Sequence, residues 1–128
     1  MPFQINVHEQ DRILEVIYPP QVTAEDLAEY LSDVKKAMTG LEGNGGEWSA
    51  LVDQSQLRVM PGDVVSAMAS LNAYAQLHGM KRSARVVIDP PSGLQAWRMT
   101  KRAMLTIPTR TFESRGEALA WLKDPEAD

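Results

Sequence analysis

The sequence predicts an α/β fold, a mixed and mostly parallel sheet of about five strands with four helices, in the order β-β-α-β-α-β-α-β-α. Three observations carry this expectation. Short apolar runs at Ile13–Tyr18, Trp48–Asp53 and Ser83–Asp89 have strand length, and helical periodicities separate them. The later runs are apolar at consecutive positions (Ala50, Leu51, Val52; Val86, Val87, Ile88), as in parallel strands covered on both faces. The first two strands, by contrast, are joined by the short polar turn Glu9-Gln10-Asp11, which favours an antiparallel hairpin.

Each element has its own reason. Phe3, Ile5 and Val7 alternate with Gln4, Asn6 and His8, the period-two pattern of a half-buried strand. The second strand follows at Ile13–Tyr18, and Pro19-Pro20 ends its pairing because proline donates nothing to a ladder. Thr23 is placed to cap a helix, with Asp26 in its first turn, and Leu27, Tyr30, Leu31, Val34, Ala37 and Met38 form one apolar stripe. Gly40 is expected to stop that helix, before the flexible run Gly43-Asn44-Gly45-Gly46.

Trp48–Asp53 is the third strand. A second helix is expected from about Pro61 to His78, with Val64, Val65, Met68, Leu71, Ala75 and Leu77 on its buried face and Gly79 as its C-terminal glycine. Ser83–Asp89 is the fourth strand. Pro90-Pro91-Ser92-Gly93 then turns into a third helix, Leu94 to about Leu105. Pro108–Phe112 reads as a short last strand, and Ser114 caps a final helix, Glu117–Lys123, that buries Ala118, Leu119, Trp121 and Leu122. With no internal repeat or linker, residues 1–128 are expected to form one domain, ending in a frayed tail at 125–128.

Composition narrows the function classes. The chain has no cysteine, which excludes disulfides, thiolate metal sites and cysteine nucleophiles and suits a cytoplasmic location. The opening residues have a strand pattern and not that of a signal peptide, and no apolar run reaches the roughly 20 residues of a membrane span. The net charge is −4, yet bases concentrate between Lys81 and Arg115 (Lys81, Arg82, Arg85, Arg98, Lys101, Arg102, Arg110, Arg115), with Asp89 and Glu113 as the acids there. Such a segment is either a solvated face or a surface for an anionic partner.

The run Leu51-Val52-Asp53-Gln54-Ser55-Gln56-Leu57, a helix after it, the strand Ala84-Arg85-Val86-Val87-Ile88-Asp89, and the closing Arg110-Thr111-Phe112-Glu113-Ser114-Arg115-Gly116-Glu117-Ala118-Leu119-Ala120-Trp121-Leu122 form a recognisable succession. It resembles the SpoIIAA-like group of STAS domains, the fold of the anti-sigma-factor antagonists. The closing phrase carries the resemblance best. The resemblance implies a regulatory or binding role without catalysis. Phospho-regulated members of the group carry a serine at the start of the helix after the third strand. Here that region reads Met60-Pro61-Gly62-Asp63-Val64, so Asp63 falls near the serine's place, with Ser55 earlier in the loop and Ser66 inside the helix. An aspartate is a partial stand-in for phosphoserine, whose charge is about −1.5 to −2, and it equally suits the first turn of any helix.

Other chemistry is weakly signalled. His8 and His78 have no acid or histidine at metal-ligand spacing, so both are expected to be structural and no metal or cofactor is expected. Asp53, Asp63 and Asp89 lie at or near strand ends, where ligands of parallel sheets bind and where acids also cap loops. The glycine run precedes a strand and is no phosphate loop; nothing positions a catalytic triad. Arg98, Lys101 and Arg102 make a basic ridge beside Trp97, the candidate interaction surface for protein or anionic lipid. Nucleic acid is disfavoured by the acidic balance.

These readings lead to a non-enzymatic domain acting through a protein partner. The alternative is a lipid or small apolar or anionic ligand held in a cleft between helices and sheet, to be recognised by a deep pocket between the second and third helices. Self-association through an uncovered edge strand or the basic ridge is a further expectation.

Overall fold

Side chains on successive strand residues point to opposite faces of a sheet, and in this chain the two sets build two separate cores. A computed structural model describes residues 3–58, 61–87 and 106–124. Within these, β1 (Gln4–His8), β2 (Ile13–Ile17), β3 (Trp48–Asp53), β4 (Met80–Val86) and β5 (Thr109–Phe112) form a sheet in the order β1-β2-β3-β4-β5. The first pair is antiparallel and every later pair is parallel. The described helices are α1 (Ala24–Gly43), α2 (Gly62–Leu77) and α3 (Arg115–Lys123). The expected helix at Leu94–Leu105 lies outside the described residues, as do Ile88, Asp89 and the tail from residue 125.

The first core takes Leu14, Val16 and Tyr18 from β2 and its exit and Trp48, Ala50 and Val52 from β3. Tyr30, Val34, Met38 and Leu41 of α1 and Val64, Val65, Met68, Leu71 and Ala75 of α2 pack against them. The alternate residues Ile13, Leu51, Ala84 and Val86 face the other way and meet Ala118, Trp121 and Leu122 of α3. β3 is therefore covered on both faces, as its uninterrupted apolar run predicts, and all its residues before Asp53 are buried.

Local signals hold at most boundaries. The Thr23 hydroxyl accepts from Asp26 N–H at 3.1 Å, and Ser114 caps α3 by accepting from Glu117 N–H at 3.2 Å. Gly79 has φ +103°, and a Cβ there would sit 2.5 Å from the Gly46 carbonyl oxygen. Glycine is thus required both by the left-handed backbone and by the close approach of the preceding loop.

Four expectations change. α1 runs past Gly40 to Gly43, because Leu41 extends the apolar stripe into the core and its burial outweighs the helix penalty of glycine. Leu77 is 80% exposed: its place in the last turn of α2 points away from the sheet. β4 begins at Met80, directly after the Gly79 turn, where Met80 pairs with Trp48 and is buried. Leu119 is only partly buried beside the second core.

One turn residue was invisible to the pattern. Arg12 adopts φ +54°, a conformation rare outside glycine. Its guanidinium donates from Nε to the Glu47 carbonyl at 2.8 Å and from Nη2 to the Leu41 carbonyl, tying the hairpin to the carboxyl end of α1.

Candidate functional site

The carboxyl ends of the parallel strands put two loops side by side, β2 to α1 and β3 to α2. Arg58 N–H donates to the Pro20 carbonyl at 3.1 Å, which joins the two. In the second loop the Asp53 carboxylate accepts from Ser55 N–H at 2.9 Å, and the buried Leu57 donates its N–H to the Gln54 carbonyl at 3.1 Å. These bonds fix the amino ends of α1 and α2 next to each other.

Between those ends runs a groove of about 340 Å³, lined by Val22, Ala24, Leu27, Ala28, Leu31, Pro61, Asp63 and Val64. A neighbouring hollow of about 390 Å³ is lined by Gln21, Val22, Arg58 and Pro61. The walls are mostly apolar, and Asp63, in the first turn of α2, supplies a carboxylate among them. Ser66 is exposed one turn further on, with its hydroxyl donating to the Gly62 carbonyl at 3.1 Å.

Beneath the same edge is a row of buried polar groups facing the first core. Tyr18 and Tyr30 are buried, with rings 6.2 Å apart at 64°. Gln54 and Arg85 are each 1% exposed. Burial pushes the Tyr18 phenol above its ordinary range, against the opposing charge of Arg85 and the neighbouring Tyr30 hydroxyl and Gln54 amide. Burial pushes Tyr30 higher still, helped by Tyr18 beside it. For Arg85 burial acts in the other direction and lowers it, with the two phenols opposing. Gln54 stands close enough to act on Tyr18, yet neither of its amide atoms makes a hydrogen bond of good geometry among the described residues; the same is true of Ser83 Oγ.

The second face holds a different cluster. Glu15, 2% exposed, accepts from Arg115 Nε at 2.6 Å and from Arg115 Nη2 at 3.0 Å, and His8 Nε2 lies 2.8 Å from its Oε1. The bonds from Arg115 hold the carboxyl below its ordinary range, against the upward push of burial and with further help from His8. Asp53 acts on Arg115 by its charge. Asp53 therefore serves the α3 side of the sheet while Asp63 lines the groove on the other, and the structure does not bring these two acids together. His78 pairs with Glu42 at 3.0 Å, bridging α2 to α1, and its ring lies tilted at 35° against Tyr74, centroids 4.2 Å apart. Among the described residues no group of three or more histidines and acids is gathered for a metal ion.

Asp89, Trp97, Arg98, Lys101 and Arg102 lie outside the described residues. Of the other bases in the Lys81–Arg115 segment, Arg85 is inside the core and not on a surface, because it occupies a helix-facing position of a strand covered on both sides. Sequence reasoning missed Arg85, Gln54 and Glu15 as a class. For Glu15 and Arg85 the one sequence signal was a charged residue within an apolar run, Ile13-Leu14-Glu15-Val16-Ile17 and Ala84-Arg85-Val86-Val87; Gln54, in the polar stretch Asp53-Gln54-Ser55-Gln56, had none. The His8 and His78 partners were missed because they come from other elements.

The arrangement offers hydrogen-bonding hydroxyls that stay protonated and a buried cation, next to an apolar groove. These features belong to an α/β domain with a mixed sheet and helices on both faces. The SpoIIAA-like family model matches residues 13–123, and the chain belongs to the SpoIIAA-like family. No curated protein matches it. Among solved structures, a protein with unknown function from Arthrobacter sp. FB24 is 21% identical, covering 93% of this chain and 97% of that chain, with a TM-score of 0.34. No described helix is long and apolar enough to cross a membrane.

Proposed function

We propose that the chain is a non-enzymatic regulatory domain that docks a partner protein in the groove between the amino ends of α1 and α2. The observation that supports this is the groove itself: an open apolar trough with Asp63 in its wall, at the edge where the two strand-to-helix loops meet. A partner side chain of apolar character fills the trough, and Asp63 selects among partners by charge. In this reading Asp63 takes the place of a regulated serine and gives a fixed single charge.

The test is comparative crosslinking and affinity purification from the native host with the wild-type chain, Leu27→Glu and Asp63→Lys. Asp63 is exposed, whereas Leu27 is half-buried against the first core, so circular dichroism and the melting temperature must show each variant folded before its captures are compared. Proteins captured by the wild type and lost with both variants support the groove. Capture unchanged by either variant removes it.

A second reading, a small ligand in a cleft between helices and sheet, is favoured by a separate observation. Gln54 and Ser83 are buried polar groups of the kind that native proteins satisfy, and they stand on the same face as Arg85, a cation suited to a carboxylate or phosphate. Thermal-shift measurements with inorganic phosphate and short fatty acids decide it. Stabilisation that Gln54→Leu abolishes supports the ligand; no shift with any of these probes counts against it.

A further inference from the structure

The two edges of the sheet are protected to different degrees. β5 is short, follows Pro108, and carries Arg110 within it, with Glu113 and Arg115 close behind. Proline and charge are the usual devices that stop an edge from pairing with another chain. β1, Gln4-Ile5-Asn6-Val7-His8, has neither proline nor lysine, arginine or acid, and its register with β2 runs without a bulge. It is the outer strand of the described sheet on that side. Val7 is 42% exposed on it, one of two large apolar side chains so exposed among the described residues.

We propose that β1 pairs antiparallel with β1 of a second copy, about a two-fold axis through Asn6, so that two sheets join into one. This is independent of the groove at α1 and α2. In that register all five residues of the strand, Gln4–His8, pair like with like. With Asn6 on the axis, Ile5 faces Val7 of the second copy on the helix side, and Gln4 faces His8 on the other. The apolar β-branched pair is then matched on one face and the polar pairs on the other. A slip by one residue sets unlike faces together and loses this match. Such a contact is isologous and closes at two subunits.

The flank of α1 that overhangs β1 is arranged to agree. At the Ile5 end a small pocket is lined by Asp26, Glu29 and Asp33. At the Val7 end a cleft of about 510 Å³ is lined by Val7, Glu9, Arg12, Ala37 and Leu41 among others. Lys36 lies three residues after Asp33 and four before Gly40, on the same flank of the helix. The two-fold axis sets the acidic end of one copy against the end of the other that carries Lys36 and Arg12, with Glu9 the opposing charge there. The apolar part of the cleft, open in one copy, is placed over the joined strands.

The absence of cysteine from the chain makes the test clean. Opposed residues of an antiparallel pair have Cα atoms about 4.5–5.5 Å apart, within the disulfide range of about 4.4–6.8 Å. The Asn6→Cys chain is therefore expected to form a disulfide dimer on mild oxidation far faster than an Arg110→Cys control on the other edge. Sedimentation equilibrium of the wild-type chain is expected to show a monomer–dimer equilibrium, weakened roughly tenfold or more by Val7→Lys, an edge charge of the kind that blocks pairing. Circular dichroism and the melting temperature report that the Val7→Lys fold is intact; if it is not, the Asn6→Cys comparison stands alone. A wild-type chain that sediments as a monomer up to its solubility limit overturns the proposal. So does a dimer indifferent to Val7→Lys in a folded variant, which assigns the dimer to another face, or an Asn6→Cys chain that crosslinks no faster than the control, which leaves the β1 edge to some other strand.

Discussion

Glu15 shows how one residue ties distant parts of the chain together. It sits at the middle of β2 on the face toward α3, and Arg115 reaches it from the first turn of that helix with two donors. A carboxylate this buried is tolerated only because it is paired, so removing its partner costs more than the bond itself is worth. Arg115→Met is expected to destabilise the protein by about 1–3 kcal/mol in urea unfolding, with His8 left as partner. Arg115 is half-exposed, which keeps the figure below that of a fully buried pair. The pH dependence has a definite sign. The folded-state pKa of Glu15 is lowered, first by Arg115. Its stabilisation is therefore complete above the unfolded carboxylate value and is lost as pH falls through the lowered folded value. Acid titration of the melting temperature is expected to fall more gently in Glu15→Gln than in the wild type over that acidic window. Parallel titration curves would show that the carboxylate contributes nothing.

Among elements, the turn from α2 into β4 is the most tightly specified. Gly79 combines a left-handed backbone with a contact to the Gly46 carbonyl, and next to it the Trp48 indole N–H donates to the His78 carbonyl at 2.8 Å. Gly79→Ala is expected to cost about 1–3 kcal/mol, since strain and clash add at one position. α2 offers a matched pair of substitutions on one helix. Leu77→Lys, at an exposed position, is expected to change stability by less than about 0.5 kcal/mol. Leu71→Ala, in the first core, is expected to cost about 2–5 kcal/mol. Equal effects in denaturant unfolding would mean that the last turn of α2 packs against something in solution.

For the whole molecule, the question is whether the two cores are independent. They share β2, β3 and β4, whose alternate side chains serve opposite faces, so loss of either core removes support from the same strands. Trp121→Ala empties the centre of the smaller core and is expected to cost about 3–5 kcal/mol. Its unfolding is expected to remain one transition, with tryptophan fluorescence and far-ultraviolet circular dichroism coincident. Separate midpoints would show that α3 melts from the sheet on its own.

What the sequence determined was the set of local rules: strand runs, the Thr23 and Ser114 caps, the glycine before β4, and the short turn that makes the first pair antiparallel. These are short-range effects of backbone conformation and side-chain periodicity, so they are legible one segment at a time. Asp63 was legible too, as an acid opening a helix, although not that it would line a groove with Val22 and Leu31. The tertiary structure decided which side chains in the apolar runs would be charged groups held in the interior. Glu15 meets Arg115 across the sheet, and Arg85 joins Tyr18 and Tyr30 under the helices. It also decided that Leu77 would face solvent and that β1 would be the outer strand of the described sheet beside β2. The physical reason is that burial is a property of packed layers: a helical or strand period shows which residues share a face, but only the neighbouring elements determine whether that face is covered.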